Sequence, residues 1–371
     1  MNQLLIPMSP TNDPWEAIHS LQKHGRHRLT SVEMTVTNLC NMRCEHCAVG
    51  DTLVMKEPTK IPLELMLKRL DEVKELQTIS ITGGEPTFNQ KTVDEYILPL
   101  LQYARSRGIR SQINSNVTLP FQRYEKIAQY LDVMHISFNY TEAKDFHEVG
   151  FAKAGHSVPL AAATKLYNQM IDNAKRLSDA GVLVSAESMI NYRTHKKIDR
   201  IHELIVEMGC QRHEVHPMYP SSFAKDLPAI TKDEMRAAIE LLLRTRDQSI
   251  WMLFGTLPFY HCSNIAEERQ LLTRLTRERN VSVRNDPDGR NRLNVNLFTG
   301  EVFVTDFSDI PSFGSIYRDS LDQIFDEWLE HPLAKSVNCH CPVVSCSGPN
   351  LLVKDMYYKD DNFLLRKAIV D

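Results

Sequence analysis

Apolar and polar residues alternate from Val32 to Thr37, the period of a strand with one face buried. Pro62 then opens a helix in which Leu63, Met66, Leu67, Leu70 and Val73 recur at helical spacing on one face. A second strand, Thr78 to Thr82, runs straight into Gly83-Gly84, and a helix over residues 91–107 ends at Gly108, a fitting C′ glycine. Further strands are predicted at Ile109 to Asn114, Val133 to Phe138, Val182 to Ile190 and His213 to His216. Between them lie a helix opened by Pro120 and a long one from Pro159 to Ala180, closed by Gly181.

Strands alternating with helices of this length predict β-α-β units and a parallel sheet. The expected class is α/β, with a partial (β/α)6 TIM-like barrel, since six units fall short of an eightfold closure. In such a sheet the active-site groups come from the loops at the C-terminal ends of the strands. After Tyr219-Pro220 the pattern changes. A helix over residues 231–247 leads to Cys262, then come an arginine-rich helix, a hairpin (294–298 and 301–305 about Thr299-Gly300), and an amphipathic helix at 320–329. The chain therefore divides into an N-terminal extension (1–30), the partial barrel (31–220) and a small C-terminal domain (221–371).

Composition narrows the class. The 371 residues carry a formal net charge of -4, with 24% charged and 42% hydrophobic positions, as in an ordinary soluble enzyme. That balance argues against non-specific nucleic-acid or membrane-surface binding. No apolar run is long enough to span a bilayer and no signal peptide is evident, so a cytoplasmic location is expected.

Candidate chemistry begins with Cys40, Cys44 and Cys47, which follow the first strand as Cys-Asn-Met-Arg-Cys-Glu-His-Cys. Thiolates are the natural ligands of iron–sulfur clusters, and a fully ligated four-iron cluster takes four, so three leave one iron open. The competing reading is a zinc knuckle with His46 as fourth ligand. His46 is poorly placed for that, squeezed between Glu45 and Cys47. After the second strand, Gly83-Gly84-Glu85-Pro86 gives a turn where backbone can approach a ligand closely and an acid can accept from an ammonium group. Both motifs lie on one rim. Cys339, Cys341 and Cys346 form a second incomplete set, C-x-C-x4-C, with zinc or free thiols as the alternatives to a cluster; Cys210 reads as a packing residue.

The triplet with Gly-Gly-Glu-Pro resembles the radical S-adenosylmethionine superfamily over roughly residues 30–220. The resemblance implies a [4Fe–4S] cluster on Cys40, Cys44 and Cys47, whose open iron takes the amino and carboxylate groups of S-adenosylmethionine. One-electron cleavage of that cofactor would yield methionine and a 5′-deoxyadenosyl radical, which abstracts hydrogen from a substrate. It assigns Gly83, Gly84, Glu85 and Pro86 to the methionine end of the cofactor. Ser115 (in Asn114-Ser115-Asn116, where relatives carry Thr-Asn-Gly), Ser137, Asn139 and Glu187 become further contacts, with Glu187 joined by Ser188. His216, Met218 and Tyr219 face the same rim. The C-terminal region is similar to the auxiliary-cluster (twitch or SPASM-like) domains of such enzymes, which makes Cys262 the fourth ligand beside Cys339, Cys341 and Cys346 of a second [4Fe–4S] cluster. Over its full length the chain resembles the YfkAB-type radical SAM/CxCxxxxC-motif proteins. An electron donor such as flavodoxin or ferredoxin is implied, and the substrate is a peptide or a small metabolite. A non-catalytic iron–sulfur or zinc protein is the alternative from another class.

Overall fold

Eleven strands share one sheet in the computed structural model, which describes residues 7–306, 310–337, 350–359, 361 and 363. They are β1 (Ser31–Thr37), β2 (Thr78–Gly83), β3 (Arg110–Ser115), β4 (Val133–Ser137), β5 (Leu183–Ile190) and β6 (Arg212–Pro217). β7 (Trp251–Gly255), β8 (Val281–Arg284), β9 (Arg292–Asn296), β10 (Glu301–Phe303) and β11 (Gly314–Ser315) follow. The spatial order is β11-β10-β9-β1-β2-β3-β4-β5-β6-β7-β8, with every neighbouring pair from β1 to β8 parallel. The α/β class and the six predicted strands are thus present.

The sheet does not stop at residue 220. β7 and β8 continue it in parallel, and β9 pairs in parallel with the opposite side of β1, Glu33 opposite Asn294. Only the β9–β10 hairpin and β11 are antiparallel. β7 carries no alternation to read: Trp251, Met252, Leu253 and Phe254 are all buried, as in a strand covered on both faces.

Helices cover the outside. The helix Leu63–Glu72 turns Met66 and Leu70 inward, and Leu160–Asp179 buries Ala163, Tyr167, Met170, Ala174 and Leu177 at the predicted period. The segment over residues 90–107 is broken by a π turn at Val93–Ile97 before the helix Leu98–Arg107, and Gly108 closes it at φ 69°. Thr231 and Glu234 form a reciprocal capping box at the start of Lys232–Thr245.

Inside the curved sheet the side chains are polar. Ion pairs link Glu33 to Arg292 and Arg284 to both Glu214 and Asp13, and His135 Nε2 lies 3.3 Å from Glu187. The N-terminal segment reaches this interior: Trp15 is buried and its indole N–H donates to Ser80 Oγ at 3.1 Å. No helix among the described residues is long and apolar enough to cross a membrane.

Candidate active site

The loop after β1 carries Cys40, Cys44 and Cys47, and it is held from three sides. Glu45 is buried and accepts from Arg193 Nε (2.6 Å) and Nη2 (3.1 Å) and from the Tyr192 hydroxyl (2.9 Å), which ties the loop to the end of β5. Asn41 accepts from Asn116 Nδ2 at 3.0 Å and donates to Thr118 Oγ1 at 2.8 Å, tying it to the end of β3. Backbone N–H groups of Arg43 and Glu45 donate to the carbonyls of Gly150 and Val149.

The turn after β2 is stitched to the same loop through backbone alone. Gly84 N–H donates to Thr37 O at 2.8 Å and Glu85 N–H to Leu39 O at 2.7 Å. Gly83 holds φ at 145°, and a Cβ there would lie 2.1 Å from Thr37 O; at Gly84 it would lie 2.3 Å from Leu39 O. The glycines are therefore required where one loop's backbone crosses the other's, as well as beside the cavity.

Cys40, Cys44, Cys47, Gly83, Gly84, Ser115, Ser137, Asn139 and Glu187 all line one cavity of about 190 Å³, together with His46, Asn116, Tyr140, His216 and Tyr219. Ser137 is exposed to it at the end of β4. Glu85 and Pro86 do not line it. Glu85 lies buried beneath the turn, where its carboxylate accepts from Thr87 N–H (3.1 Å), Thr87 Oγ1 (2.6 Å), Ser115 Oγ (2.9 Å) and Asn116 N–H (2.8 Å). Burial pushes this carboxyl above its ordinary value, with those hydrogen bonds pulling the other way. Three of these donors meet Oε1 and one meets Oε2, so Glu85 also acts as a strut between the loops after β2 and β3. Met218 is buried and absent from the lining, and Ser188 donates to Phe138 O at 2.6 Å, a strand-end contact.

The thiols are costly to ionise. Burial pushes Cys40 up to about 12, and Cys44 and Cys47 also rise, chiefly through burial. Thiolates here need a cation in the proton's place, which the iron of a cluster provides. Among the described residues no three His, Cys, Asp or Glu side chains converge on one point as a single zinc ion demands. Three sulfurs around a shared cavity suit separate corners of a cluster instead. Tyr140 supplies a hydroxyl to Cys44, and Met42 N–H donates to Cys40 Sγ at 3.4 Å.

The far wall is electrostatically ordered. His216 Nε2 lies 2.8 Å from Glu187 Oε1, and His135 Nε2 lies 3.3 Å from Glu187 Oε2. Burial alone would raise the Glu187 carboxyl, yet the two histidines outweigh it and hold it well below the usual range. His216 rises above its ordinary value because Glu187 outweighs burial, and its ring stacks on Tyr219 at 4.5 Å. Tyr140, Asn116 and Glu45 are site-building residues to which the motifs gave no role. Their signal was positional, since Asn116 and Tyr140 come just after β3 and β4 and Glu45 lies between two of the motif cysteines.

Cys262 follows β7 and packs beside Tyr260, Leu352, Val353, Tyr358 and Phe363. Cys339, Cys341 and Cys346 lie outside the described residues. Cys210 is buried, its thiol pushed up to about 12 by that burial, as a packing residue would be.

Residues 34–205 match the radical SAM superfamily and residues 218–368 a YfkB-like domain. YfkA of Bacillus subtilis (strain 168) is 54% identical over 368 residues, 99% of each chain. Among solved structures, Streptococcus suis SuiB bound to the precursor peptide SuiA superposes with a TM-score of 0.58 at 15% identity, over 89% of this chain and 72% of that one. Native anSMEcpe with bound AdoMet and Cp18Cys peptide gives 0.59 at 14% identity, over 90% and 91%. These two establish likeness of fold. The sequence relationship goes further, and by it the chain belongs to the radical SAM superfamily, in the family of YfkA, with the [4Fe–4S] cluster and S-adenosylmethionine that membership implies.

Proposed function

We propose that this protein is an enzyme that uses S-adenosylmethionine and a [4Fe–4S] cluster to abstract hydrogen from a peptide. The observation that carries the reading is the shared cavity: three thiols from the loop after β1, the Gly83-Gly84 turn, and the polar ends of β3, β4 and β5 meet around one space. When bound, cluster and cofactor supply a 5′-deoxyadenosyl radical by one-electron reductive cleavage. The electron comes from outside, from a flavodoxin- or ferredoxin-type donor in the cytoplasm.

The chain's own residues have positioning roles. Cys40, Cys44 and Cys47 hold the cluster. Gly83 and Gly84 present backbone to the methionine end of the cofactor, and Glu85 and Pro86 fix that turn from beneath. Ser115, Ser137, Asn139 and Glu187 offer hydroxyl, amide and carboxylate groups to its polar atoms. Residues 31–220 carry this chemistry in our division of the chain, and 221–371 an auxiliary [4Fe–4S] cluster on Cys262, Cys339, Cys341 and Cys346. Val337 O accepts from Arg290 Nη2 at 2.9 Å, and Asn350 Nδ2 donates to Thr256 O at 3.4 Å. Val337 thus attaches ahead of β9 and Asn350 attaches to the segment after β7, the segment that goes on to Cys262. The peptide reading draws on the precursor peptide and the Cp18Cys peptide bound by the two fold neighbours.

Anaerobic reconstitution with iron and sulfide, followed by dithionite and S-adenosylmethionine, should release 5′-deoxyadenosine, and Cys44→Ala should abolish it. Product formed equally well by the variant overturns the assignment. Zinc in place of iron in the anaerobically purified protein favours the non-catalytic alternative.

A further inference from the structure

The cysteine loop also has a surface turned away from the cavity. Met55 there is 89% exposed, and Arg43 Nη2 reaches its sulfur at 3.9 Å. The same guanidinium donates from Nη1 to Cys40 O at 2.9 Å and to Met42 O at 2.7 Å. Met55 is therefore one side chain away from the backbone of a cluster ligand. Lys153 N–H donates to Arg43 O at 3.1 Å, and its ammonium lies 4.0 Å from the centre of the Phe223 ring. Arg43 and Lys153 both bear electrostatically on Cys47. Beside Met55 and Lys56 a groove of about 480 Å³ runs to Lys60, Lys91 and Tyr96.

The charge on this face is opposite to that of the whole chain. The sequence carries -4, yet Arg43, Lys56, Lys60, Lys91 and Lys153 gather here. The acids among them are engaged from within. Glu57 accepts from Thr37 Oγ1, from Asn38 N–H at 2.6 Å and from Lys60 at 3.2 Å. Asp51 accepts from Ser222, and Glu95 lies 3.9 Å from Lys91. Among the described residues the Arg43 guanidinium meets two backbone carbonyls and the Met55 sulfur. The Lys153 ammonium meets the carbonyl and ring of Phe223, and exposed Lys56 pairs with no acid.

We propose that Met55, Arg43, Lys56, Lys91 and Lys153 form the docking face for an acidic one-electron carrier protein that reduces the cluster. The carrier loses one electron and the cluster gains it, with no bond made and no proton moved. Such a contact needs nearness and matched charge more than a shaped pocket. Electron-transfer encounters bury less than about 1,200 Å², so a small face suffices. Opposite charges speed association by about 10–10³-fold, and Met and Arg are enriched where proteins meet. This rests on the reading that Cys40, Cys44 and Cys47 hold a cluster.

The test is anaerobic calorimetric titration of the reconstituted holoprotein with oxidised flavodoxin and, separately, with an oxidised [4Fe–4S] ferredoxin. At least one carrier should bind, and Lys56→Glu with Lys91→Glu should weaken that binding about tenfold or more. Both are exposed positions, so the variant keeps its fold. Raising salt from about 0.05 to 0.5 M should weaken the wild-type complex in the same direction. With S-adenosylmethionine present, the variant should form 5′-deoxyadenosine more slowly when that carrier is the reductant and at the wild-type rate with photoreduced deazariboflavin. Equal loss with both reductants overturns the docking face, as does binding by neither carrier or binding indifferent to charge reversal and salt. Decaglutamate bound as tightly as the carrier assigns the face to an acidic peptide and also overturns it. Wild-type protein that yields no 5′-deoxyadenosine with either reductant defeats the radical assignment and leaves the carrier titration standing.

Discussion

Asn116 donates its backbone N–H to Oε2 of Glu85 at 2.8 Å, while its own side chain reaches Asn41 in the cysteine loop at 3.0 Å. One residue at the end of β3 thus connects the two motifs that carry the chemistry. Removing Glu85 leaves the donors of Thr87, Ser115 and Asn116 without an acceptor in a buried place. Glu85→Ala should lower unfolding free energy by on the order of 3 kcal/mol in urea titration, since each orphaned buried donor costs about 1–3 kcal/mol. A loss below about 1 kcal/mol would mean that water fills the space at no penalty.

Gly83 and Gly84 make a sharper test of the loop crossing. Gly83→Ala forces a side chain onto Thr37 O, 2.1 Å from the ideal Cβ position, at a φ of 145°. The strain should cost about 1–3 kcal/mol and displace the turn, with weaker S-adenosylmethionine binding by the reconstituted protein. Gly155→Ala is the control, because nothing lies within 4 Å of its Cβ position. Equal behaviour of the two variants in thermal melts and cofactor titration would contradict the crossing.

The Glu187–His216 pair sets a pH window in the iron-free protein. The lowered Glu187 stabilises the fold fully above its unfolded value of 4.5 and ceases to do so as pH falls toward its folded value. The raised His216 contributes fully below its unfolded value of 6.5 and ceases to do so as pH rises through its folded value. The stability difference between wild type and a Glu187→Gln, His216→Gln double variant should therefore peak between about pH 4.5 and 6.5. Denaturant titrations from pH 4 to 8 measure it, and a difference independent of pH would refute the charged pairing.

The cysteines separate by iron content. Cys262→Ala should lower iron by up to about four atoms per chain if it closes an auxiliary cluster. Cys210→Ala should leave iron and sulfide unchanged, because that thiol packs in the core. Full iron in the Cys262 variant would remove it from the ligand set.

Much of this site was legible beforehand because its chemistry follows strand ends. Cys40, Cys44 and Cys47 follow β1, Gly83 and Gly84 end and follow β2, Ser137 ends β4 and Glu187 lies late in β5, where a parallel sheet presents them to one rim. Glu85 was legible as an acid in a glycine turn but not as a buried strut, because its four donors come from Thr87 and from a strand lying some thirty positions further on. β7 and β8 escaped for a different reason. A short apolar run buried on both faces has no period, so Trp251–Gly255 reads equally as helix or strand.

Local periodicity, turn glycines and cysteine spacing by themselves determined the α/β class, the first six strands and the thiol triplet, because each depends on neighbours a few residues apart. Tertiary structure alone decided that β9 lies against β1, that Asn116 bridges Glu85 and Asn41, and that Arg292 pairs with both Glu33 and Asp288. These pairings join residues far apart in the chain, and their energies come from burial and charge that exist only once the sheet has assembled.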